Sequence, residues 1–320
     1  MSMIGTAITI PKQNPDWAGD SWLSRFVNLL IQTKPLYALM KQQARGVLIK
    51  KSQKKGIPWN ETVQLLEASD VKTWLPQLSD PAVVYPDYYQ APFHAYDAGN
   101  LCWLAAFETA PATYAMPLRI YPELTWEAAQ AKLRSDIHCV LNQYGPDKVK
   151  NVLDVGCSVG ISTQYLHKYY TQRQKHKVRT VGLDLSPYML SVAKYRDTHN
   201  EISEWRHAQA EKTGLPDASF DLVSLQYVIH ELPRKATKQI CQEAFRLLRK
   251  GGSIVLVDID PKSKVIQSLP PVLSTLMKST EPWSDDYYTF DVETALKESR
   301  FKSVITVACN PRHKVIVATK

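Results

Sequence analysis

The stretch Val152-Leu-Asp-Val-Gly-Cys-Ser-Val-Gly-Ile-Ser-Thr163 decides the fold of this chain. An apolar run typical of a strand leads directly into Gly156 and Gly160, after which a helix is predicted to begin. Glycine permits a tight turn and a close approach of ligand to backbone, and the free N–H groups of a helix N-terminus attract carboxylate or phosphate. The spacing differs from Gly-x-Gly-x-x-Gly, because Ser158 stands where the middle glycine would be. The stretch therefore predicts a ligand-binding turn between a strand and a helix.

Alternating strand-like and helix-like segments follow this turn to the end of the sequence. Strands are predicted at 149–155, 178–184, 204–209, 220–226, 253–258, 302–308 and 314–319, and helices near 161–170, 188–198 and 236–248. Such alternation builds parallel βαβ units with helices on both faces of the sheet. The short connection 309–313 predicts an antiparallel pair at the end. The predicted fold is α/β, a doubly wound, seven-stranded, mostly parallel sheet.

Residues 1–124 differ from the rest in composition, because they are rich in Pro, Trp and Tyr. Helical spacing is visible at 62–68 and in the series Leu36, Met40, Ala44 and Val47, whereas 76–122 is predicted to be irregular. A helix capped by Thr125 opens the next part. We therefore expect a helical, aromatic-rich lid or substrate region at 1–124 and the α/β domain at 125–320.

A second acid strengthens the prediction of a ligand site. Val181-Gly-Leu-Asp184 ends the second predicted strand, 24 positions after Gly160. A carboxylate near this spacing can hold a pair of ribose hydroxyls. The alternative interpretation is a helix cap, although Ser186 is itself a plausible N-cap.

The sequence resembles class I S-adenosylmethionine-dependent methyltransferases over about 125–320. Two further stretches carry the resemblance, Gln209-Ala-Glu-Lys-Thr-Gly-Leu-Pro-Asp-Ala-Ser-Phe-Asp221 and Leu247-Leu-Arg-Lys-Gly-Gly252. In that family the Asp-x-Gly-x-x-x-Gly loop holds the methionine end of the cofactor, the acid ending the second strand holds the ribose, and the first of these stretches brackets the adenine. Gln209 departs from the Asp or Asn that the family often has. The cofactor-binding residues that the resemblance implies are Asp154, Gly156, Cys157, Ser158, Gly160, Thr163, Asp184, Leu185, Met189, Gln209, Ala210, Glu211, Gln226 and Tyr227. A nicotinamide dinucleotide is the rival cofactor, and the loop does not match its fingerprint.

His230 is the candidate catalytic residue, with Glu231 beside it. It follows the fourth predicted strand, at the edge where ligands of such sheets bind. The pair is similar to that of phenolic O-methyltransferases, and quinone-pathway C-methyltransferases also carry a histidine near this point, so O- and C-methylation both stay open. The alternative is a histidine that packs over the cofactor. Aromatic and polar rings are candidates for acceptor contact: Tyr88, Tyr89, His94, Tyr96, Tyr287 and Tyr288.

Composition and charge restrict the classes of function that the sequence allows. The net charge is +8 and the pI is 9.1, with a run of basic residues in 41–55 that contains no acid. No nucleic-acid motif accompanies this charge, so the basic helix is interpreted as a solvated face, with contact to an anionic membrane through 36–55 as the alternative. The 5 cysteines are scattered and no metal-ligand spacing occurs, which predicts neither disulfides nor a metal. The absence of a membrane-length apolar run and of a signal peptide predicts a cytoplasmic protein, peripheral to the membrane if that contact occurs.

The resulting prediction is an enzyme that transfers a methyl group from S-adenosylmethionine to a small acceptor, aromatic, quinonoid or isoprenoid. Methylation of protein or nucleic acid is the alternative activity, although no Asn/Asp-Pro-Pro-Tyr signature follows the fourth strand. A cofactor-binding regulatory protein without turnover is the alternative of a different class.

Overall fold

The computed structural model describes residues 12–19, 25, 34–92, 94 and 96–320, with the backbone alone at 34–42, 44, 271–272, 276 and 279. The predicted apolar series in the first helix includes Leu36, Met40 and Ala44, whose side chains lie outside this description. None of the described helices is long and apolar enough to cross a bilayer.

A seven-stranded sheet forms the centre of the molecule, in the order β3-β2-β1-β4-β5-β7-β6. Its strands are β1 (Asn151–Val155), β2 (Arg179–Asp184), β3 (Glu204–His207), β4 (Phe220–Gln226), β5 (Leu248–Ile259), β6 (Val304–Ala308) and β7 (His313–Thr319). The first five are parallel, and β7 runs antiparallel to both β5 and β6. The predicted doubly wound, mostly parallel sheet is confirmed.

Helices cover both faces of the sheet and the edge where the parallel strands end. They are α1 (Lys34–Lys54), α2 (Trp59–Ala68), α3 (Leu75–Leu78), α4 (Trp103–Ala115), α5 (Trp126–Tyr144), α6 (Ile161–Gln174), α7 (Pro187–Arg196), α8 (Arg234–Leu247), α9 (Lys264–Gln267), α10 (Pro271–Thr280), α11 (Ser284–Tyr288) and α12 (Val292–Glu298). Thr125 caps α5 through its side chain, as predicted.

Alternation along the strands divides the core into two layers. Leu153 and Val155 of β1 belong to the cluster beneath α8 and α12, whereas Val152 belongs to the cluster beneath α5 and α6. Successive side chains of a strand point to opposite faces, so a parallel sheet covered on both sides needs apolar residues at consecutive positions. This requirement explains why consecutive residues of β1, β2 and β4 are buried.

The structure corrects the prediction that 76–122 is irregular, because α4 lies within it. Pro111 stands inside that helix and had argued against it. Ala105, Ala106 and Ala110 are fully buried, so close packing of small helix-forming residues compensates for the hydrogen bond that proline cannot donate. They pack against Val159 and Met189 and cover the turn after β1.

Candidate active site

A cavity of about 1130 Å³ lies at the carboxyl edge of the parallel strands. Its floor is made by the turns that follow β1, β2, β4 and β5, and its walls come from α1, α4 and α10. In a doubly wound sheet this edge is where a ligand finds free backbone groups and helix N-termini. Predicted cofactor residues on the cavity wall are Gly156, Cys157, Ser158, Asp184, Leu185, Met189, Ala210, Gln226 and Tyr227.

Asp154 holds the turn after β1 in shape. Its Oδ2 accepts hydrogen bonds from the hydroxyls of Ser162 at 2.7 Å and Thr163 at 2.8 Å, in the first turn of α6. Burial raises the pKa of Asp154, and the two hydroxyls oppose that rise. Neither Asp154 nor Thr163 lies on the cavity wall. Both residues therefore act indirectly, by stabilising the turn from behind.

The two glycines of this turn are required by protein neighbours. Gly160 has a φ of +79°, and a Cβ there would lie 2.5 Å from Cη2 of Trp205. Gly156 has a φ of +68°, and a Cβ would lie 2.6 Å from Cγ2 of Val228. The sequence had suggested that these glycines admit a ligand. Gly160 instead admits the Trp205 ring on β3 and does not line the cavity, so that suggestion is corrected for Gly160.

We expect Gly160→Ala to destabilise the fold by about 2–4 kcal/mol, since a left-handed alanine and an overpacked ring both cost energy. Gly46→Ala is the matched control. Gly46 lies in α1 with nothing within 4 Å of a Cβ, so alanine there should stabilise the helix by about 0.5–1 kcal/mol. Denaturant unfolding measures both. Equal stability of Gly160→Ala and wild type would contradict the packing described.

Asp184 joins the turns after β1 and β2. Its Oδ2 accepts from Ser158 N at 2.7 Å and its Oδ1 from Ser186 N at 2.8 Å, while Ser186 Oγ caps α7 by accepting from Met189 N. Burial is the main cause that raises the pKa of Asp184 to about 6. Each carboxylate oxygen can accept a second hydrogen bond, and the side chain lines the cavity. The carboxylate can therefore order both turns and still receive two hydroxyl donors.

Arg134 is a site residue that sequence reasoning missed. It lies on α5, is buried, and donates from Nη1 to Oε1 of Gln226 at 2.6 Å. Within the described structure its Nε and the hydroxyl of Tyr227 are buried without a hydrogen-bond partner, and both residues line the cavity. The sequence feature that could have indicated this residue is the position of Arg134 next to Leu133, on the apolar face of the helix before β1.

Gln209 and Glu211 lie away from the cavity wall. The side-chain amide of Gln209 donates to the carbonyl of Val84, and Glu211 accepts from the hydroxyl of Tyr88 at 2.6 Å. Both residues thus attach the segment before α4 to the sheet domain. Of the predicted adenine loop, Ala210 reaches the cavity.

His230 lies in a short 3₁₀ turn after β4 and is paired with an acid that the sequence did not single out. Its Nδ1 lies 2.7 Å from Oδ1 of Asp258, near the end of β5, whereas its Nε2 is 3.9 Å from Oε1 of Glu231. Burial alone would lower the pKa of His230, but Asp258 outweighs it and, with Glu281 and Glu231, raises the pKa to about 10. Asp258 is therefore the nearer acid to His230, and the catalytic role of His230 and Glu231 stays a prediction.

Glu231 and His94 complete this part of the wall. Their side chains are 3.5 Å apart, and both line the cavity. Burial raises the pKa of Glu231 to about 8 and lowers the pKa of His94 to about 3. The side chain of His94 is 44% exposed, and its place on the wall indicates that this area faces the cavity interior. A neutral imidazole is thus expected at His94.

The predicted acceptor-contacting rings divide into two groups. Tyr88, Tyr89 and Tyr96 line the cavity together with His94. Tyr287 and Tyr288 do not, contrary to the prediction: they are 2% and 1% exposed, in the core. The hydroxyl of Tyr287 donates to the carbonyl of Ile259, and the Tyr288 ring packs edge-on against Trp17. Because α11 turns these rings inward, the aromatic cluster in the sequence is a packing feature at this position.

The fold and this cavity define a class of enzymes that bind a nucleoside-bearing cofactor at the carboxyl edge of the sheet. Residues 153–256 match a family model described as a methyltransferase domain. This region is identified as a class I S-adenosylmethionine-dependent methyltransferase domain, whose cofactor is S-adenosylmethionine.

Curated relatives are similar to this chain at low identity. A phosphatidylethanolamine N-methyltransferase of Cereibacter sphaeroides is 26% identical over 50% of this chain and 74% of that protein. The ubiquinone/menaquinone biosynthesis C-methyltransferase UbiE of Desulfotalea psychrophila is 28% identical over 40% of this chain and 48% of that protein. A mitochondrial 2-methoxy-6-polyprenyl-1,4-benzoquinol methylase of Drosophila melanogaster is 26% identical, covering 48% and 49%. The chain thus spans about half the length of two of these relatives.

Solved structures give matches of the same kind. Human N-acetylserotonin methyltransferase in complex with S-adenosylmethionine has a TM-score of 0.46 and 14% identity, with 80% of this chain and 68% of that chain covered. An S-adenosylmethionine-dependent methyltransferase from Aquifex aeolicus has a TM-score of 0.45 and 18% identity, with coverages of 59% and 92%.

The residues present fit the cofactor. Asp184 retains acceptor capacity toward a ribose, and Arg134 offers a buried, unpartnered N–H toward a carboxylate. Burial raises the pKa of Asp154, and Arg134 lies close enough to oppose that rise, which puts it near the glycine turn. The wall therefore presents an anionic group for hydroxyls and a cationic group for a carboxylate in neighbouring places.

Proposed function

We propose that this enzyme methylates a small lipophilic aromatic acceptor, phenolic or quinonoid, at or next to a ring hydroxyl. The His230–Asp258 pair on the cavity wall is the observation that carries the proposal. A histidine oriented by a buried carboxylate can accept a proton from a hydroxyl, which favours O-methylation directly and C-methylation through the electron-rich phenolate.

The remaining wall suits a hydrophobic acceptor. Beyond His230 it is mostly aliphatic, with Leu48, Met116, Leu118, Leu269 and Met277 among its members. Small-molecule sites typically combine such walls with a few polar groups that fix orientation. Relatives named for quinone biosynthesis support the same class of acceptor.

The proposed mechanism assigns one task to each group. The bound cofactor supplies a methyl group on a sulfonium. Asp258 orients Nδ1 of His230, and a pKa of about 10 leaves the free imidazole protonated near neutral pH. A proton must therefore leave to solvent before Nε2 can take the proton of the acceptor hydroxyl. Asp184 and Arg134 hold the two ends of the cofactor, and the aliphatic wall excludes water and aligns the acceptor. Any positive charge that enters the cavity lowers the pKa of His230, so cofactor binding favours the basic form.

The electrostatic part of this mechanism can be measured on the protein alone. Asp258 is the acid that overcomes burial at His230, so Asp258→Asn should move the pKa of His230 from about 10 to a much lower value. NMR titration of the imidazole C–H signal, assigned with His230→Gln, follows this. An unchanged pKa in Asp258→Asn would remove the proposed pair, and Asp286→Asn, on an exposed ion pair with Arg234, serves as the control.

The acceptor class is tested with labelled methyl transfer. Radiolabelled cofactor is offered with catechols and hydroquinones, with and without an isoprenoid tail, and with vesicles of phosphatidylethanolamine as the comparison amine. We expect label in the aromatic compounds, more with the tail than without, and a loss of that label in His230→Ala. Label in the amine alone would contradict the proposal.

We further propose that 1–124 forms a lid over the acceptor. Its support is that α1, α4 and the segment at 88–100 contribute much of the cavity wall. Arg45 of α1 donates from Nε to Oε2 of Glu108 at 2.8 Å, and Glu108 also accepts from Trp59 and Tyr96. This buried network ties the described lid elements to one another.

Contact of α1 with an anionic membrane stays a proposal. Lys51, Lys54 and Lys55 lie on the cavity wall near Val47, which is 51% exposed. Basic side chains flanking an exposed apolar residue suit the surface of an anionic bilayer. Co-sedimentation with phosphatidylserine vesicles, lost in Lys51→Gln/Lys54→Gln/Lys55→Gln, would support it, and equal sedimentation with neutral vesicles would contradict it.

A further inference from the structure

Two arginines from distant parts of the chain reach the same cavity. Arg119 ends the 3₁₀ turn Pro117–Arg119, and Arg312 lies in the turn before β7. Both side chains line the cavity. In the part of the chain that the structure describes, neither guanidinium has a hydrogen bond or an ion pair, whereas the other two arginines on the wall are bonded, Arg45 to Glu108 and Arg134 to Gln226.

The two unpaired guanidiniums are close enough to repel each other. Arg119 is exposed, with its side chain on the cavity wall. Desolvation is the main cause that lowers the pKa of Arg119, the charge of Arg312 lowers it further, and the charge of Glu281 opposes both. Arg312 also contributes to lowering the pKa of the neighbouring His313. Two neighbouring cations disfavour each other, and an anion bound by both guanidiniums would stabilise them.

Glu281 also lines the cavity, together with the two arginines and His230. Its carboxyl group interacts electrostatically with His230, Asp258, Arg119 and Arg312, and burial raises its pKa. Its Oε2 is buried without a hydrogen-bond partner among the described residues. In the described structure no ion pair joins Glu281 to Arg119 or Arg312, so the guanidinium N–H groups stay available to a ligand anion.

We propose that Arg119 and Arg312 form an anion subsite that binds a carboxylate or phosphate group on the methyl acceptor. The inference rests on the proposed function, since it places the anionic end of the acceptor opposite the hydroxyl held at His230. Paired guanidiniums bind such groups through several charge-assisted hydrogen bonds. The acceptor is then an amphiphile with a hydroxylated ring at one end of the polar wall and an acidic group at the other.

The subsite differs from the place of the cofactor carboxylate. Arg134 influences Asp154 and Tyr227 beside the glycine turn. Arg119 instead responds to Arg312 and Glu281. The wall therefore has separate cationic positions for the two ligands.

The test uses acceptor probes that differ in charge alone. These are (3,4-dihydroxyphenyl)alkanoic acids of increasing chain length, their methyl esters, and phosphate monoesters of the matching alcohols. Calorimetry on the full chain saturated with S-adenosylhomocysteine measures binding without turnover. We expect the best-fitting acid or phosphate to bind about 10- to 100-fold more tightly than its neutral counterpart.

Variants assign that preference to the two arginines. Arg119→Gln/Arg312→Gln should bring the ratio close to 1, Arg119→Lys/Arg312→Lys should keep part of it, and Lys250→Gln, at an exposed position of β5 outside the cavity, should keep all of it. The lysine variant keeps the test decisive if the glutamine variant fails to fold. The ratio of acid to phosphate identifies which anion the subsite prefers.

The outcomes separate this proposal from the proposed function. No preference for the charged probes, including the case in which none binds, overturns the subsite, as does a preference that survives in Arg119→Gln/Arg312→Gln. A preference that depends on the arginines, without any transfer of methyl to the probes, supports the subsite and counts against ring methylation. Transfer that depends on His230 without a charge preference supports the function alone.

Discussion

Asp184→Ala is expected to weaken binding of S-adenosylmethionine on the order of 100-fold. The carboxylate is buried at the end of β2, and hydrogen bonds to a charged group contribute roughly 1.5–3 kcal/mol each. Alanine removes the proposed ribose acceptor and leaves Ser158 N and Ser186 N without their partner, so the turn after β1 also loses support. Calorimetric titration with the cofactor and with S-adenosylhomocysteine measures the loss.

Two further variants separate these contributions. Asp184→Asn keeps one carbonyl acceptor for the turns and lacks the charge, so its loss should be smaller than that of alanine. Asp87→Asn, an exposed acid beside the cavity-lining Tyr88, should bind like wild type. Wild-type affinity in Asp184→Ala would mean that the ribose lies elsewhere.

His230→Ala is expected to lower methyl-transfer turnover about 10²- to 10⁴-fold, the range that a positioned general base contributes. Affinity for S-adenosylmethionine should change little, because Asp184 and Arg134, the groups assigned to the two ends of the cofactor, lie on other elements. Asp258→Asn should lower turnover in the same direction, since Nδ1 of His230 loses its charged partner. Single-turnover kinetics with the true acceptor measure methyl transfer, and calorimetry measures cofactor binding, so effects on the two steps are distinguished.

Glu231→Gln provides the comparison for this pair. Glu231 lies 3.9 Å from Nε2 of His230, so its removal should affect turnover less than Asp258→Asn. The reverse order would restore the pair that the sequence suggested. Full turnover in His230→Ala would leave the histidine as a packing residue over the cofactor.

The sheet could be predicted from the sequence because its causes are local. Strands such as β1 and β4 are mostly apolar runs bounded by turn residues. The turn after β1 and the acid at the end of β2 follow from the same reading, since parallel strands bring their carboxyl ends to one edge. That geometry placed Asp184 and His230 at one cavity without any coordinates.

The partners within the site could not be predicted in the same way. Glu231 is the sequence neighbour of His230, but the acid at ion-pair distance from Nδ1 is Asp258, which the β4–β5 pairing brings beside it. The sequence feature that could have indicated Asp258 is its position as an acid near the carboxyl end of β5, the strand that pairs with β4. Arg119 and Arg312 line the same cavity although they are far apart in sequence, so only tertiary packing reveals them.

Orientation of aromatic residues also depends on tertiary packing. The clusters at 85–96 and 283–288 look alike in composition, yet the first contributes rings to the cavity and the second fills the core beside Trp17. Helix α4 was missed for a related reason, since burial of its alanines offsets the local cost of Pro111.

Calorimetric titration of the purified chain with S-adenosylmethionine and S-adenosylhomocysteine examines the proposed cofactor site most directly. The arrangement of Asp184, Arg134 and the glycine turn predicts saturable binding of one molecule per chain, competitive between the two compounds and weakened in Asp184→Ala. Folded protein that releases no heat with either compound at any temperature tried would contradict it.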